Sequence, residues 1–367
     1  MLEPDVLVHL TVPAAWRVAL AAGSLATPSL VTDGFVHLST RDQVPIPANA
    51  LFAGRGDVLL LVIDPARLRS EVRWEAGAPG DPATMRFPHL YGPLPVAAVT
   101  SVHPYRPGPS GSYDPPTGLP SPEEVAARAA TFDRSLVERR AAAVVPVVGG
   151  VAVLDPRVPS SYEHNCLWVT GALDAEVVIA EAERTLGGYP HRRAVFDRRP
   201  PPSVGWELQE LRLMVLDPAA PAPTPAAVPV VAASTEMMAG LWRASWRRQL
   251  PDAAEAVIDD LVRREAFADA HVRVVDLAVL DESAAPVAGA QLRVDGATAA
   301  IEAVMTDPHV RRRGYARALV GDAIRRARAL GCDVVFLLAA AHDWPRHWYT
   351  RLGFVDVGER WEATSAS

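Results

Sequence analysis

The chain has 367 residues, 49% hydrophobic and 22% charged, which suits two or three packed domains and excludes global disorder. Its net charge of -7 excludes a dedicated nucleic-acid binder, which needs a broadly basic surface, although a local basic patch is present. Two cysteines, Cys166 and Cys332, exclude a disulfide scaffold and a cysteine-rich zinc site, and no apolar run reaches the ~18 residues of a membrane span.

Two punctuated stretches divide the chain. Tyr105 to Pro122 reads YRPGPSGSYDPPTGLPSP, too rich in Pro, Gly and Ser for a regular element, and Asp217 to Val228 reads DPAAPAPTPAAV, a semi-rigid Pro/Ala linker. Three units are therefore expected, at residues 1–106, about 120–217 and about 228–361. The N-terminus lacks a basic flank leading into an apolar run, so a cytoplasmic location is expected. The Ala/Val/Arg bias is that of a GC-rich bacterial genome.

The first unit opens with a strand over Asp5–Thr11, whose alternation puts Val6, Val8 and Leu10 on one face and Leu7, His9 and Thr11 on the other. A short helix is predicted from Pro13 to Ala22, stopped by Gly23. Strands follow at Phe35–Thr40, Val58–Ile63 and Val72–Glu75, which makes this a small α+β or mostly β module. Histidines recur on its strand-like segments: His9, His37 and His89. His9 shares a face with Thr11, and His37 with Ser39. No acidic or cysteine ligand pattern accompanies them, so no metal site is assigned and hydrogen-bonded histidines that order loops are the plain expectation.

The middle unit begins with a helix start in which Ser121 is the N-cap, Pro122 the first helical residue and Glu124 the closing partner of a capping box. A strand at Cys166–Thr170, a helix over Asp174–Leu186 ended by Gly187-Gly188, and strands near Arg193–Phe196 and Glu207–Leu216 follow.

The third unit is expected to carry a strand at Val230–Ala233, helices through Arg264, and strands near Arg273–Leu280, Val287–Val294 and Thr298–Thr306. A helix from Tyr315 to Leu330 and the apolar run Val334–Ala339 complete a crossover unit of the kind that builds parallel pairing. In that helix Leu319, Val320, Ala323, Ile324, Ala327 and Leu330 face inward, while Arg317, Arg325, Arg326 and Arg328 face out.

Between strand and helix lies DPHVRRRGYARAL. A loop entering a helix N-terminus leaves backbone N–H groups unpaired, with the helix dipole adding positive potential, and this makes a site for an anion such as pyrophosphate. Gly314 lets the backbone approach closely, Ala316 keeps the groove open, and Arg311, Arg312 and Arg313 add fixed charge. A solvated basic loop is the plainer alternative at this stage.

Residues Arg311-Arg312-Arg313-Gly314-Tyr315-Ala316 fit the Arg/Gln-x-x-Gly-x-Gly/Ala loop of the GNAT superfamily of N-acetyltransferases. Trp348-Tyr349-Thr350-Arg351-Leu352-Gly353-Phe354 resembles that family's FYxxLGF segment, and the spacing between the two agrees. The resemblance covers roughly 228–361 and implies a mixed sheet flanked by helices and an acetyltransferase that uses acetyl-CoA as co-substrate. It further implies that Val304, Met305 and Thr306 offer a strand edge to the pantetheine arm. The amides of Arg311, Arg312, Arg313, Gly314, Tyr315 and Ala316 would hold the pyrophosphate. Tyr349 would protonate the departing thiolate, and Glu302, on the face shared with Val304 and Thr306, would take the proton of the acceptor ammonium. Direct attack of the amine leaves no nucleophilic task for Cys332, which is expected to pack in the core. The family's frequent asparagine after the following strand is missing. His342, Asp343 and His347 stand there as alternative bases or substrate contacts.

The middle unit, with YEHNCLWVTG and GGYPHRRAVFD, resembles a degenerate unit found ahead of such acetyltransferase domains, without the phosphate loop. It is expected to complete the acceptor cleft or an interface. His164 and Asn165 are possible acceptor contacts, although a structural role is the simpler one. Residues 5–105, with blocks VHLT, GFVHLST, RWE and FPHLYGPLP, resemble a bacterial family of uncharacterised domains that looks distantly related to ADP-ribosyltransferases. By that similarity His9, His37, Ser39, Thr40 and His89 would line a small-molecule cleft, with Glu75 as the candidate catalytic glutamate and NAD as a possible ligand.

The expected partner is a small-molecule amine acceptor, with neither nucleic acid nor membrane; the overall acidity hints at a cationic amine such as a polyamine or amino sugar. The rival reading, of a different class, is an acyl-CoA-binding sensor. The sequence assigns no oligomeric state.

Overall fold

The computed structural model describes residues 4–77, 85–201, 205–221, 223 and 228–366; of the linker expected at Asp217–Val228, residues 222 and 224–227 lie outside the described residues. The chain is a mixed α+β molecule with a small N-terminal domain and one large mixed sheet flanked by helices.

The N-terminal domain runs β1 (Leu7–Thr11), α1 (Pro13–Ala22), β2 (Ser24–Leu25), α2 (Pro28–Thr32), β3 (Val36–His37) and α3 (Pro45–Leu51). It continues through β4 (Val58–Ile63), β5 (Val72–Ala76), β6 (Arg86–Leu90), β7 (Leu94–Pro95) and β8 (Val99–Tyr105). Strands pair as β1-β4-β8, β2-β7 and β3-β6-β5. The run VLLLVI of β4 is buried on both faces: Leu59, Leu61 and Ile63 join a core around Trp16, and Val58, Leu60 and Val62 join one around Val44, Tyr105 and Tyr113. Helix α1 starts with Pro13 and stops where Gly23 takes φ 79° and returns its N–H to the Ala19 carbonyl. The strand predicted at Phe35–Thr40 is shorter than expected, because only Val36–His37 forms a ladder and Ser39 makes an isolated bridge to Val8. The Pro/Gly/Ser stretch after β8 forms no regular element between Arg106 and Pro120, yet it is docked: Tyr113 is buried, and its N–H donates to the Asn49 side chain at 2.8 Å.

The rest of the chain is α4 (Val125–Arg140), β9 (Ala143–Val147), β10 (Gly150–Leu154), β11 (Cys166–Val169), α5 (Ala175–Leu186), β12 (His191–Phe196) and β13 (Glu207–Leu216). Then come β14 (Val231–Ala233), α6 (Thr235–Gln249), α7 (Glu255–Arg263), β15 (Arg273–Leu280), β16 (Pro286–Asp295), β17 (Thr298–Thr306) and α8 (Tyr315–Ala329). Last are β18 (Val334–Ala340), α9 (Trp344–Thr350) and β19 (Phe354–Ala366). Helix α4 corrects the expected capping box. It begins at Val125, and the Ser121 N–H and hydroxyl both donate to the Glu124 carboxylate, at 2.7 and 2.9 Å. The pair therefore closes a turn before the helix, and the serine oxygen caps nothing.

One sheet of eleven strands has the order β14-β15-β16-β17-β18-β13-β19-β12-β11-β10-β9. The two units predicted at 120–217 and 228–361 share it, and each gives its last strand to the other. Strand β13 pairs with β18, and β19 pairs with β12, with β13 and β19 antiparallel between them. Each half contains one parallel strand pair, β11-β12 around α5 and β17-β18 around α8. Helix α8 packs on one face through Leu319, Val320, Ala323, Ile324 and Ala327; α4 packs on the other through Phe132 and Leu136, against Leu213, Ala300 and Phe336. Among the described residues no helix is long and apolar enough to cross a membrane.

Candidate active site

Strands β17 and β18 pair only where Thr298–Ala300 meet Val334–Phe336, although they run on to Thr306 and Ala340. Beyond Ala300 and Phe336 they part, and the sheet opens into a wedge. Glu302 and Leu338 are the next positions on either side of its mouth. At the same level β17 carries a bulge: Ala303 takes φ 51° and the register with β16 shifts between Gly289 and Gln291. The extra residue reverses the alternation. Glu302 faces the α4 side, as Ala300 does, while Val304 packs into the α8 core with Ile301 and Tyr315. The expectation that Glu302 and Val304 share a face is thereby corrected, because regular alternation does not survive a bulge.

The loop between β17 and α8 presents backbone donors. Arg312 takes φ 65° and Gly314 φ 81°, and a Cβ built on Gly314 would meet nothing within 4 Å. The N–H groups from Arg311 to Arg317 have no hydrogen-bond partner among the described residues, whereas Ala318 N–H already bonds the Gly314 carbonyl. Arg311, Arg312 and Arg313 are exposed and in no ion pair among the described residues; Arg311 Nε reaches back to the Thr306 carbonyl at 3.4 Å. Orphan donors, a positive helix end and guanidinium groups without a carboxylate make a fitting cradle for a pyrophosphate.

On the other side of the wedge mouth is a cavity of about 250 Å3 whose walls include Glu302 and Leu338. It is lined by four arginines (Arg140, Arg193, Arg293 and Arg360) and four carboxylates (Asp133, Glu163, Glu302 and Glu362), drawn from α4, from the turn before β11 and from strands of both halves of the sheet. Three of the carboxylates are held in ion pairs: Asp133 by Arg360, Glu362 by Arg193 at 2.5 Å, and Glu163 by Arg140 and Arg264 at 3.3 and 3.2 Å. Glu302 makes no such contact among the described residues. The two glutamates separate accordingly. Burial pushes the Glu302 carboxyl up to about 7, with Arg293 opposing it only in part. Burial also acts on Glu163, but Arg264, Arg140 and Arg293 outweigh it and hold that carboxyl well below the ordinary range. Neighbouring carboxyls driven apart in this way are the usual arrangement of a permanent charge beside a proton acceptor. Cys166 is in the cavity wall too, but burial raises its thiol to about 12, so it stays protonated.

Tyr349, on α9, is buried at 8% exposure against Phe354 and Trp348 in the α8 core. Burial and then the Glu302 charge push its hydroxyl up to about 12, so it is a proton donor at neutral pH. The alternatives at the end of β18 lie elsewhere. His342 is 88% exposed beside Glu210, and the Asp343 carboxylate accepts the Trp344 N–H at the start of α9. His347 is exposed, and none of the three lines the cavity. His164 and Asn165 are buried loop clamps: His164 bonds the Ser161 hydroxyl, and Asn165 accepts from Asp155 N–H and donates to Val158 and Ser161 carbonyls. Cys332 packs in the core with its thiol donating to the Gly296 carbonyl.

In the N-terminal domain His9, Thr11, His37 and Ser39 line a second cavity, of about 830 Å3. Thr40 and His89 are not in its wall. Thr40 bonds the Gln43 side chain, and His89 lies between the Glu75 carboxylate at 3.2 Å and the stacked Phe35 ring. Glu75 accepts from Tyr91 as well and stays outside the cavity.

Sequence reasoning missed most of the charged cavity. Arg140 ends α4, Arg193 and Glu362 belong to paired strands of different halves, Arg293 is a single basic residue in a largely apolar strand, and Arg360 lies between two glutamates of β19. A lone arginine within an apolar strand is the one signal available, since burying a charge requires a partner.

Residues 235–354 match the sequence model of the acetyltransferase (GNAT) family, and residues 10–102 match that of a protein of unknown function (DUF952). The chain therefore carries a C-terminal GNAT domain and an N-terminal DUF952 domain. Among solved structures it is similar to a functionally unknown conserved protein from Staphylococcus epidermidis, 14% identical, over 61% of this chain and 93% of that one, with a TM-score of 0.50. A GCN5-related N-acetyltransferase from Kribbella flavida is 17% identical over 66% of this chain and 96% of its own, with a TM-score of 0.45. A protein from Caulobacter crescentus is 31% identical over 30% of this chain and 93% of its own, with a TM-score of 0.27. No curated protein matches the chain.

Proposed function

We propose that the chain is an N-acetyltransferase that moves the acetyl group of acetyl-CoA to a small amine. The observation that carries this reading is the wedge between β17 and β18, which opens from the donor-rich loop at Arg311–Ala316 toward the charged cavity at Glu302. The loop amides and Arg311, Arg312 and Arg313 bind the pyrophosphate. The free edge of β17 at Val304, Met305 and Thr306 pairs with the pantetheine amides, like an added strand.

In the cavity, the Glu302 carboxylate takes a proton from the acceptor ammonium. The freed amine attacks the thioester carbonyl, a C–N bond forms as the C–S bond breaks, the Tyr349 hydroxyl delivers a proton to the departing sulfur, and the proton that the new amide nitrogen sheds restores the tyrosine. No covalent enzyme intermediate is needed. Three ion pairs and a poised glutamate in about 250 Å3 suit a small amine that also carries an acidic group, which an arginine of the wall can meet; they do not suit a long polycation.

The test is thiol release from acetyl-CoA across a panel of amines containing amino acids, amino sugars and polyamines. Turnover with small acidic amines, lost in Glu302→Gln with acetyl-CoA affinity retained, supports the reading. Acetyl-CoA binding without turnover on any amine would favour a sensor instead, and no binding at all would sink both.

A further inference from the structure

The N-terminal domain contains the larger cavity of the two, about 830 Å3, and the acetyl-transfer chemistry makes no use of it. That volume lies in the range of sites for drug-sized molecules, roughly 300–1,000 Å3. Its wall is mainly apolar, with Leu10, Leu25, Phe52 and Phe87 inside and with Ile46 and Leu51 of α3 at the rim, 49% and 74% exposed. Large apolar side chains left in water around a concave apolar surface mark a place where something apolar is bound.

The polar part of the wall is narrow and specific. His9 is 8% exposed, and its Nδ1–H donates to the His37 carbonyl at 2.7 Å. A carbonyl oxygen only accepts, so the ring proton is on Nδ1 and Nε2 keeps its lone pair. Nε2 has no partner among the described residues. Burial first, and the neighbouring His37 last, push His9 down to about 4, so the ring remains neutral at physiological pH and Nε2 remains an acceptor. Thr11 and Ser39 stand beside it in the same wall.

No arginine, lysine, aspartate or glutamate lines this cavity among the described residues. A dinucleotide such as NAD brings two phosphate charges, and such groups need guanidinium, ammonium or helix N-terminal amides to replace their water. This wall provides no cation, and Pro13 and Pro28 each take one backbone donor away from the first turns of α1 and α2, the helices that start beside it. The glutamate candidate, Glu75, is outside it. The chemistry is that of a neutral ligand.

We propose that the N-terminal domain binds a neutral, largely apolar small molecule whose single hydrogen-bond donor, a hydroxyl or N–H, docks on His9 Nε2. The apolar body fills the space between Leu25, Phe52 and Phe87, with Ile46 and Leu51 of α3 at its rim.

The probe for a test is 1-aminoanthracene, an uncharged aromatic amine that fluoresces more strongly and further to the blue in apolar surroundings. Titrated into the full chain, it should bind saturably at one equivalent. His9→Phe keeps an aromatic ring and removes the acceptor, and it should weaken binding about three- to tenfold, the value of one neutral hydrogen bond. Leu51→Glu puts a charge at an exposed rim position without disturbing the core, and should also weaken binding while leaving thiol release from acetyl-CoA unchanged. Absence of saturable binding would overturn the proposal. So would unchanged affinity in both variants, or displacement of the probe by millimolar NAD, which would make this a nucleotide site.

Discussion

Trp16 Nε1 donates a hydrogen bond to Asp295 Oδ1 at 2.7 Å across 279 residues of sequence, and both side chains are buried. The other oxygen of the same carboxylate takes the Arg139 guanidinium of α4. One carboxylate at the tip of the β16–β17 hairpin thus joins the N-terminal domain, α4 and the sheet. Trp16→Phe should cost about 2 kcal/mol of stability, the value of a hydrogen bond to a charged group. Asp295→Ala should cost more, about 3–5 kcal/mol, because it strands the buried Arg139. Urea unfolding of the two variants checks the order.

The raised Glu302 carboxyl sets the pH dependence. A base must be ionised, so kcat/KM should rise with pH and level off above about 7. Glu302→Gln should remove that limb and lower kcat by about 100-fold or more. A profile that is flat from pH 6 to 8 in the parent enzyme would take Glu302 out of the chemistry.

The same group should appear in stability. A carboxyl raised in the folded state binds its proton more tightly there than in the unfolded chain. Folding is therefore penalised as pH rises from the ordinary carboxyl range through about 7. Glu302→Gln should accordingly raise the melting temperature at pH 8, by on the order of 2 kcal/mol of stability, and do little at pH 4. Thermal melts at the two pH values separate this from a general packing effect.

Tyr349→Phe keeps the ring against Phe354 and Trp348 and removes only the proton donor. A fall in kcat of about 100-fold with KM for acetyl-CoA nearly unchanged is expected. Equal kcat in the variant would reduce Tyr349 to a packing residue.

Gly314 holds φ 81° with open space around it, so a methyl group there clashes with nothing and costs only backbone strain. Gly314→Ala should lose about 1 kcal/mol of stability and raise KM for acetyl-CoA several-fold as the loop relaxes. Gly240, inside α6 and equally uncrowded but without a positive φ, is the control position: Gly240→Ala should stabilise by up to about 1 kcal/mol.

The donor-rich loop between β17 and α8 was readable in the sequence because its signals are local: strand, glycine, arginines and helix start follow one another within a few residues. Helix α1 was readable for the same reason, since Pro13 and Gly23 mark its two ends. The β9–β10 hairpin is absent from the sequence-based elements, although Ala143–Val147 and Gly150–Leu154 are apolar runs around Val148-Gly149. Two further features have no local signal. The bulge that turns Glu302 away from Val304 depends on how Ala303 fits against β16, and alanine has no preference for φ 51°. The charged cavity collects Arg140, Arg193, Glu302 and Arg360 from positions far apart, and only the sheet order brings them together.

The exchange of β13 and β19 has a consequence for biosynthesis. When β13 leaves the ribosome, neither of its neighbours exists, because β18 begins at Val334 and β19 at Phe354. A ten-residue strand must wait with both edges open for more than a hundred residues of translation, at roughly 5–20 residues per second. During those seconds the nascent chain is most exposed to wrong pairing, and a chaperone that holds extended segments would act here. Strand β19 is the one that closes both halves, so a ribosome that stops short of Phe354 completes neither half of the sheet.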